Sequence, residues 1–358
     1  MELNEKEVLD FDFSQDVLTT LAEESVKILE TDFYSKPFQF SYSSLNKLMW
    51  NPAVFYHLYV LKMKEEKTDS HLVQGKIIHA LLLEEEKFDE QFIKSPTSLP
   101  TGNTKFVIDR VYKHYEELNK NGDERTKLEE FDQAILDVLK DMNLHQSLKT
   151  DQQRLDKIVS QDSVSYWEFL KKKGNKTLID DQTYNFCKSA VDLMKTDKGL
   201  CELIGCNINE FDNKEVFNEV ALTCEINDKP FGLKGIIDNI VVDHDKKIIY
   251  VNDIKTTSKD LKDFSNSVDF YSYWLQAAIY ITLVGTRFFT YIHNEGYQVE
   301  FRFVVIDKMF NVYPFLVSDA TMTKWFTQLV DVLEKADWHY SQKRYDLPYE
   351  FAKGKVVL

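Results

Sequence analysis

Residues 232–255 constrain the fold more than any other part of the sequence. Two apolar runs rich in β-branched residues, 233–242 and 248–254, flank a polar segment of turn composition at 243–247. This pattern predicts two strands joined by a tight turn. Because the runs are almost entirely apolar, we expect the hairpin to be largely buried.

One acid interrupts each run, Asp238 in the first and Asp253 in the second. If the hairpin is centred between Asp245 and Lys246, these acids face each other, with Cβ atoms about 5 Å apart. Lys255 follows two residues later and therefore shares a strand face with Asp253. The predicted register places two carboxylates and one ammonium on one patch.

Such a patch needs compensation, because adjacent carboxylates in apolar surroundings repel each other and lose hydration. A divalent cation that prefers oxygen ligands, Mg²⁺ or Mn²⁺, would supply it. Lys255 could then orient a water or stabilise a phosphate. The alternative interpretation is that both acids lie at strand ends and pair with surface lysines.

A helix predicted for 73–83 carries Gly75 and His79 four residues apart on one face. Gly75 would allow another backbone to approach closely. His79 is either a metal ligand through a neutral imidazole nitrogen or a hydrogen-bonded core residue.

A second helix, predicted for 270–284, places Tyr273, Gln276 and Tyr280 on one face. An aromatic face is most often part of the core. Gln276 is the informative member, because a buried amide needs polar partners.

A strand predicted for 216–226 precedes the hairpin, and its Glu219 and Glu225 share parity and therefore one face. Between the hairpin and the second helix, Lys259 and Lys262 are candidate phosphate contacts. A basic loop at 171–176 is either a DNA contact or simply solvated.

Together these motifs resemble the PD-(D/E)XK nucleases. Asp238 followed by the Asp-Ile-Lys of 253–255 resembles the core of that superfamily. The QAAIY of 276–280 is similar to the Q-x-x-x-Y motif of the RecB-type branch, and the GKIIH of 75–79 to its G-x-x-x-H motif. Over about 41–349 the chain most resembles the RecE-like phage exonucleases.

The resemblance implies an α/β fold with a central mixed sheet flanked by helices. We expect an acidic N-terminal lead-in at 1–40, with one amphipathic helix at 18–29, and then a nuclease domain at 41–358. The resemblance is weak over 104–175, which is therefore expected to be a helical insertion.

The resemblance also implies a metal site and a catalytic set. The implied metal ligands are His79, Glu219, Asp238, Asp253 and the carbonyl of Ile254. The implied catalytic residues are Asp238, Asp253, Lys255, Gln276 and Tyr280. Lys255 is expected to position the attacking water, whereas Gln276 and Tyr280 hold the site and the scissile strand. Glu225 is expected to be solvated.

The implied activity is Mg²⁺-dependent hydrolysis of linear DNA by an exonuclease, in phage-type recombination or replication. A homo-oligomeric ring around the DNA and a single-strand annealing protein as partner follow from the same resemblance. Two alternatives stay open: a repair or restriction endonuclease on the same site, and a catalytically idle module that binds DNA or a partner.

The net charge of −15 argues against a protein that coats DNA by bulk attraction, although a local basic channel suffices for a nuclease. No run approaches the ~20 apolar residues of a membrane span, and the acidic N-terminus lacks a signal pattern. We therefore expect a cytoplasmic protein, such as a phage protein in the host cytoplasm. Because no cysteine follows Cys224, the iron–sulfur cluster of some RecB-type nucleases is expected to be absent.

Overall fold

A computed structural model describes residues 38–63, 70–96, 98–206 and 212–354. The chain divides into two compact units, one of Met1–Glu85 with Lys188–Leu358 and one of Glu86–Cys187. The helix expected at 18–29 lies outside the described residues.

The described residues form eight strands and fifteen α-helices. The strands are β1 Gln39–Phe40, β2 Phe92–Lys94, β3 Thr177–Ile179, β4 Lys214–Glu225, β5 Gly232–Asp243, β6 Ile248–Thr256, β7 Gln298–Ile306 and β8 Val312–Leu316. The helices are α1 Tyr42–Trp50, α2 Pro52–Phe55, α3 Ser70–Leu83, α4 Phe88–Gln91, α5 Gly102–Lys120, α6 Asp132–Asp141, α7 Asp151–Ile158, α8 Gln161–Lys173, α9 Asp181–Met194, α10 Lys198–Ile204, α11 Phe264–Phe270, α12 Tyr273–Arg287, α13 Phe289–Asn294, α14 Asp319–Gln342 and α15 Tyr349–Ala352.

A mixed sheet of six strands forms the centre of the first unit, as the family resemblance implied. β5 pairs antiparallel with β4 on one edge; its other edge is shared by β6, which is antiparallel, and β1, which is parallel. β6 pairs parallel with β7, and β8 closes the sheet antiparallel to β7. The parallel pair requires a crossover, which α11, α12 and α13 provide.

The predicted hairpin register is confirmed where β5 and β6 pair. The ladder runs from Asp243 opposite Ile248 to Asn239 opposite Asn252, the same register that places Asp238 level with Asp253. The turn at 244–247 ends on Lys247, which has a left-handed φ of 55°.

Helices cover both faces of this sheet. On one face α12 packs against β4, β5, β6 and β7, and α14 and α1 pack against α12. Alternate residues of β6, such as Ile249 and Val251, enter the apolar core on that side. On the other face Asn252 donates to the Leu203 carbonyl of α10, and α3 also contacts β6.

The second unit contains helices α5 to α8 around its own apolar core, which includes the fully buried Trp167. The Trp167 indole donates to the Thr126 carbonyl at 2.8 Å. β2 and β3 form a separate two-stranded parallel sheet in this unit. The region expected to be an insertion, 104–175, falls within this unit; its status as an insertion stays a prediction.

The helix predicted for 270–284 is wrong at its start. α11 ends at Phe270, and α12 begins only at Tyr273. Ser272 between them has a left-handed φ of 58°, which no helix residue can adopt and which redirects the chain. Among the described residues, no helix is long and apolar enough to cross a membrane.

Candidate active site

Three acids lie in one lateral row of the sheet, and we call Glu219, Asp238 and Asp253 the acidic row. The β4–β5 ladder keeps one register on both sides of Glu219, which therefore lies level with Asp238. The β5–β6 register places Asp238 level with Asp253. Three adjacent strands thus contribute one carboxylate each.

The site forms where the β5–β6 ladder ends. Pairing stops at Asn239 and Asn252, one residue before the two aspartates, while β6 continues to pair with β7 as far as Thr256. At this point the backbone N–H of Ile254 donates to Oδ2 of Asp238 at 2.7 Å. A side-chain acceptor therefore takes an N–H that a continuous ladder would have used.

Strand alternation breaks at the acidic row. In β4, Phe217 and Val220 both pack on the core side although they differ in parity, and Glu219 between them has a φ of 51°. A left-handed residue is not part of a regular pleat, so Glu219 interrupts the alternation of β4, and its sharing of a face with Glu225 stays a prediction. Glu225 is exposed, as expected.

His79 on α3 bridges two of the acids. Its Nδ1 lies 2.9 Å from Oε1 of Glu219 and its Nε2 lies 3.1 Å from Oδ2 of Asp238. One ligand atom from each of these three residues lies within 4.8 Å of the others. Gly75, one turn earlier, lets α3 approach β6, since a Cβ there would lie 2.9 Å from Oγ1 of Thr256.

The electrostatics of this triad differ from residue to residue. Burial alone would lower the pKa of His79, but the carboxylates of Asp238 and Glu219 outweigh it and raise that pKa well above its usual value. Burial would raise the pKa of Asp238, yet His79, Lys255 and the Ile254 N–H hold it below the usual range. For Glu219 burial prevails, and its pKa is raised.

Asp253 forms the other half of the site, together with Lys255. The Lys255 ammonium lies 2.6 Å from Oδ2 of the fully buried Asp253. Burial raises the pKa of Asp253 to about 7 against the opposing effect of Lys255, and the charge of Asp238 adds to the increase. Oδ1 of Asp253 has no hydrogen-bond partner among the described residues.

A hydrogen-bond chain fixes Lys255 from the side of α12. Its ammonium donates to Oε1 of Gln276 at 2.9 Å, and Nε2 of Gln276 donates to the Tyr280 hydroxyl at 2.9 Å. That hydroxyl in turn donates to the Ile236 carbonyl on β5. Gly235 provides the room, because a Cβ there would lie 2.9 Å from the Tyr280 ring.

The residues present suit a hard divalent cation. The acidic row and His79 offer carboxylate oxygens and one imidazole nitrogen, a donor set that Mg²⁺ and Mn²⁺ accept. The unpartnered Oδ1 of Asp253 is an orphaned buried acceptor, and such atoms call for a ligand, a water or an ion. The site therefore fits a metal.

The structure brings the sequence-predicted residues together at this site, but in two groups. Asp253 pairs with Lys255 and lies outside the His79–Glu219–Asp238 triad. Ile254 takes part through its N–H, and its carbonyl as a ligand stays a prediction. The Lys259 ammonium lies over the rings of Phe270 and Tyr271.

Sequence reasoning missed a second polar row, directly next to the acidic row, which we call the asparagine row. Its members, one from each of four strands, are Asn218, Asn239, Asn252 and Arg302. The amides of the three asparagines form a continuous chain across the sheet, with distances of 2.6 Å and 2.7 Å. The guanidinium donates to its end at 2.9 Å. The signal was present, because an asparagine adjoins each acid in the sequence.

Comparison with known proteins shows a family whose model matches most of the chain. The family model of the PD-(D/E)XK nuclease superfamily matches residues 39–339. Among solved structures, the chain is similar to a "Putative exonuclease" from Eubacterium rectale, with 10% identity, a TM-score of 0.44 and coverage of 93% of this chain and 89% of that chain. It is also similar to SSO0001, with 20% identity, a TM-score of 0.22 and coverage of 47% and 68%. No curated protein matches.

Proposed function

The chain belongs to the PD-(D/E)XK nuclease superfamily, and from that premise we propose that it is a Mg²⁺-dependent exonuclease that hydrolyses linear DNA. One observation carries the proposal: Glu219 and Asp238, which His79 bridges, lie in the same sheet row as Asp253, which pairs with Lys255. Cation ligands and a fixed ammonium are what phosphodiester hydrolysis requires around the attacked phosphate.

In this proposal the metal ligands are Asp238 and Asp253, helped by Glu219, His79 and the Ile254 carbonyl. A bound Mg²⁺ would lower the pKa of a coordinated water and neutralise charge that develops on the phosphate. His79 must be neutral to bind a metal. The His79 imidazole, which bridges Glu219 and Asp238, would therefore have to be unprotonated to serve as a ligand.

Lys255 has the second role. Its ammonium is held from one side by Asp253 and from the other by the amide oxygen of Gln276. A cation held in this way can orient the attacking water or stabilise the phosphate in the transition state without further reorganisation. Tyr280 fixes which end of the Gln276 amide faces Lys255, because its hydroxyl accepts from Nε2. Gln276 and Tyr280 would thereby hold both the site and the scissile strand.

The finer assignment is to the RecE-like exonucleases of the RecB-type branch. Its support is that the G-x-x-x-H segment reaches the acidic row through His79, and the Q-x-x-x-Y segment reaches Lys255 through Gln276. From this assignment we infer a cytoplasmic phage protein that acts in recombination or replication. A ring of subunits around the DNA and a single-strand annealing partner follow from the same assignment.

The test uses one gel. Linear duplex DNA labelled at either end and covalently closed circular DNA are incubated with the protein, with Mg²⁺ and with a chelator. We expect Mg²⁺-dependent loss of linear DNA and intact circles. Rapid nicking or linearisation of the circles would indicate an endonuclease and contradict the exonuclease proposal. Absence of any cleavage with Mg²⁺ or Mn²⁺, together with DNA binding, would indicate an idle binding module.

A further inference from the structure

An exposed aromatic pair lies at the corner between α11 and α12. Phe270 is 77% exposed and Tyr271 is 40% exposed. Their rings meet edge to face, with centroids 4.9 Å apart. Large aromatic surfaces left in water are unfavourable for the folded protein and commonly mark a binding site.

This pair is continuous with the candidate active site. The Lys255 ammonium lies 4.8 Å from the centre of the Tyr273 ring. The Tyr273 ring stacks on that of Tyr271, with centroids 5.4 Å apart and an angle of 28° between the planes. A row of aromatic rings therefore leads from the ammonium that we place at the attacked phosphate to the exposed face of Phe270.

A lysine places a positive charge beside the aromatic pair. The Lys259 ammonium lies 5.6 Å from the centre of the Phe270 ring and 5.2 Å from that of Tyr271. In a chain with a net charge of −15, a lysine placed over two exposed rings favours a ligand that is both planar and anionic. Nucleic acid combines these properties, because its bases stack on aromatic rings and its phosphates attract ammonium groups.

The platform is also held rigidly. The Tyr271 carbonyl accepts from the Tyr42 hydroxyl and from the Asn46 amide at 3.3 Å, both on α1. The left-handed Ser272 fixes the corner at which α12 begins. A rigid aromatic surface loses little conformational entropy on binding and therefore retains more of its contact energy.

We propose that Phe270, Tyr271 and Lys259 form a stacking platform for unpaired nucleobases of the DNA strand that enters the active site. The inference rests on the proposed nuclease function, which places the scissile phosphate at Lys255. Bases within a duplex are stacked on one another and cannot offer a free face, so the platform selects single-stranded overhangs and frayed ends. Stacking tolerates every base, and we expect no sequence preference.

The experiment measures binding of a fluorescent duplex with a single-stranded overhang and of the matching blunt duplex. Ca²⁺ replaces Mg²⁺ to prevent cleavage, and a gel verifies that the DNA stays intact. We expect Phe270→Ala to weaken overhang binding at least about tenfold, or ~1.4 kcal/mol, and to leave blunt binding nearly unchanged. Phe270→Trp should retain binding. The matched control is Phe351→Ala, because Phe351 is another exposed phenylalanine of the same unit and should have no effect.

Two further readouts separate stacking from charge. With 2-aminopurine at successive overhang positions, the wild type should quench the fluorescence of at least one position, and Phe270→Ala should abolish that quenching. Lys259→Ala should instead weaken binding of both DNAs and lower the salt dependence of binding by about one counterion. Because Lys259→Ala leaves both aromatic rings in place, this variant tests the charge of the platform separately from its stacking surface.

The outcomes for the platform and for the nuclease are distinguishable. If the wild type cleaves DNA but Phe270→Ala binds overhangs and quenches 2-aminopurine as the wild type does, the platform is overturned and the nuclease stands. If quenching depends on Phe270 but no metal supports cleavage, base stacking stands and the nuclease is overturned. If overhangs are not bound at all, the platform is overturned.

Discussion

The asparagine row and the acidic row lie side by side in one sheet, and both contain buried polar groups. They differ in whether those groups find hydrogen-bond partners within the row. In the asparagine row, Asn239 donates to Asn218 and accepts from Asn252, so neutral amides satisfy one another across three strands. In the acidic row, carboxylates lie level with one another, and Oδ1 of Asp253 has no partner among the described residues.

This difference separates polarity that serves the fold from polarity that serves a ligand. A satisfied hydrogen-bond network, here three neutral amides that end on the Arg302 guanidinium, rigidifies a core and fixes strand register. A row of neighbouring acids destabilises the folded state unless His79 and Lys255 neutralise it. Such local conflict with the rules of folding is expected where a site binds something else. The same β5 and β6 carry both rows, so the sheet holds the acids in place through the amides.

The largest expected effect comes from neutralising the acidic row. Asp253→Asn keeps the shape of the side chain and removes a buried charge, and we expect cleavage to fall about a thousandfold, at the upper end of the 10²–10³ that one electrostatic contributor to a transition state is worth. Stability should change less than cleavage, since the loss of the Asp253 charge relieves its repulsion with Asp238 and Lys255 keeps its hydrogen bond to Gln276. Single-turnover cleavage and urea unfolding measure the two quantities.

The proposed difference between the two rows would be contradicted if Asp253→Asn changed stability and not cleavage. A large loss of stability, together with wild-type cleavage per folded molecule, would mean that Asp253 serves the fold and not the site. Asp238→Ala is the companion variant. It should lose cleavage to a similar extent, because Asp238 belongs to both the acidic row and the His79 triad.

The next effect concerns Lys255. Its loss should lower cleavage about a hundredfold while DNA-end binding stays near the wild-type level, because the ammonium acts mainly in the transition state. Lys255→Arg should rescue poorly, since a planar fork does not replace a compact charge between Asp253 and Gln276. Unchanged single-turnover cleavage in Lys255→Ala would mean that the lysine is only an ion-pair partner of Asp253.

The hairpin and its register could be predicted from the sequence because the information is local. Two β-branched runs, a polar turn and strand alternation suffice to place Asp238 level with Asp253. The mixed sheet and the approach of His79 and Gln276 followed from the resemblance to a family. Those contacts join residues far apart in the chain, and periodicity alone carries no information on them.

The rest depended on departures from regular structure. The left-handed conformations of Glu219 and Ser272 are unusual for residues other than glycine, so the sequence gives no sign of them. The pairing of Asp253 with Lys255, apart from the triad, depends on side-chain geometry at the end of a ladder. The asparagine row could have been found, because the correct register places Asn239 level with Asn252.

The third prediction concerns a substitution in the asparagine row instead of the acidic row. Asn252→Ala removes the donor to Asn239 and the acceptor of Arg302, and buried partners left unsatisfied should lower the free energy of unfolding by ~2–3 kcal/mol. Cleavage per folded molecule should fall at most about tenfold, because the amide orients the strand and touches no proposed ligand. Urea unfolding and active-site-normalised rates check this. A thousandfold loss of cleavage at full stability would place Asn252 in the site itself.

The smallest effect concerns the helix that brings His79 to the acidic row. In Gly75→Ala the new Cβ would lie 2.9 Å from Oγ1 of Thr256, so α3 must move by a few tenths of an ångström or the threonine must rotate. Because His79 is one turn away on the same face, we expect the Mg²⁺ concentration for half-maximal cleavage to rise about threefold, which is less than the 10–100-fold cost of losing a group that orients a ligand.

The matched control for this prediction is the double variant Gly75→Ala with Thr256→Ala, which removes the obstructing hydroxyl. If close approach of α3 is what positions His79, the double variant should return the Mg²⁺ requirement toward the wild-type value, whereas Thr256→Ala alone should leave it unchanged. An equal requirement in all four proteins would show that the acidic row takes up the metal without precise placement of the helix. The position of the acidic row would then be set by β4, β5 and β6 alone, through the asparagine row beside it.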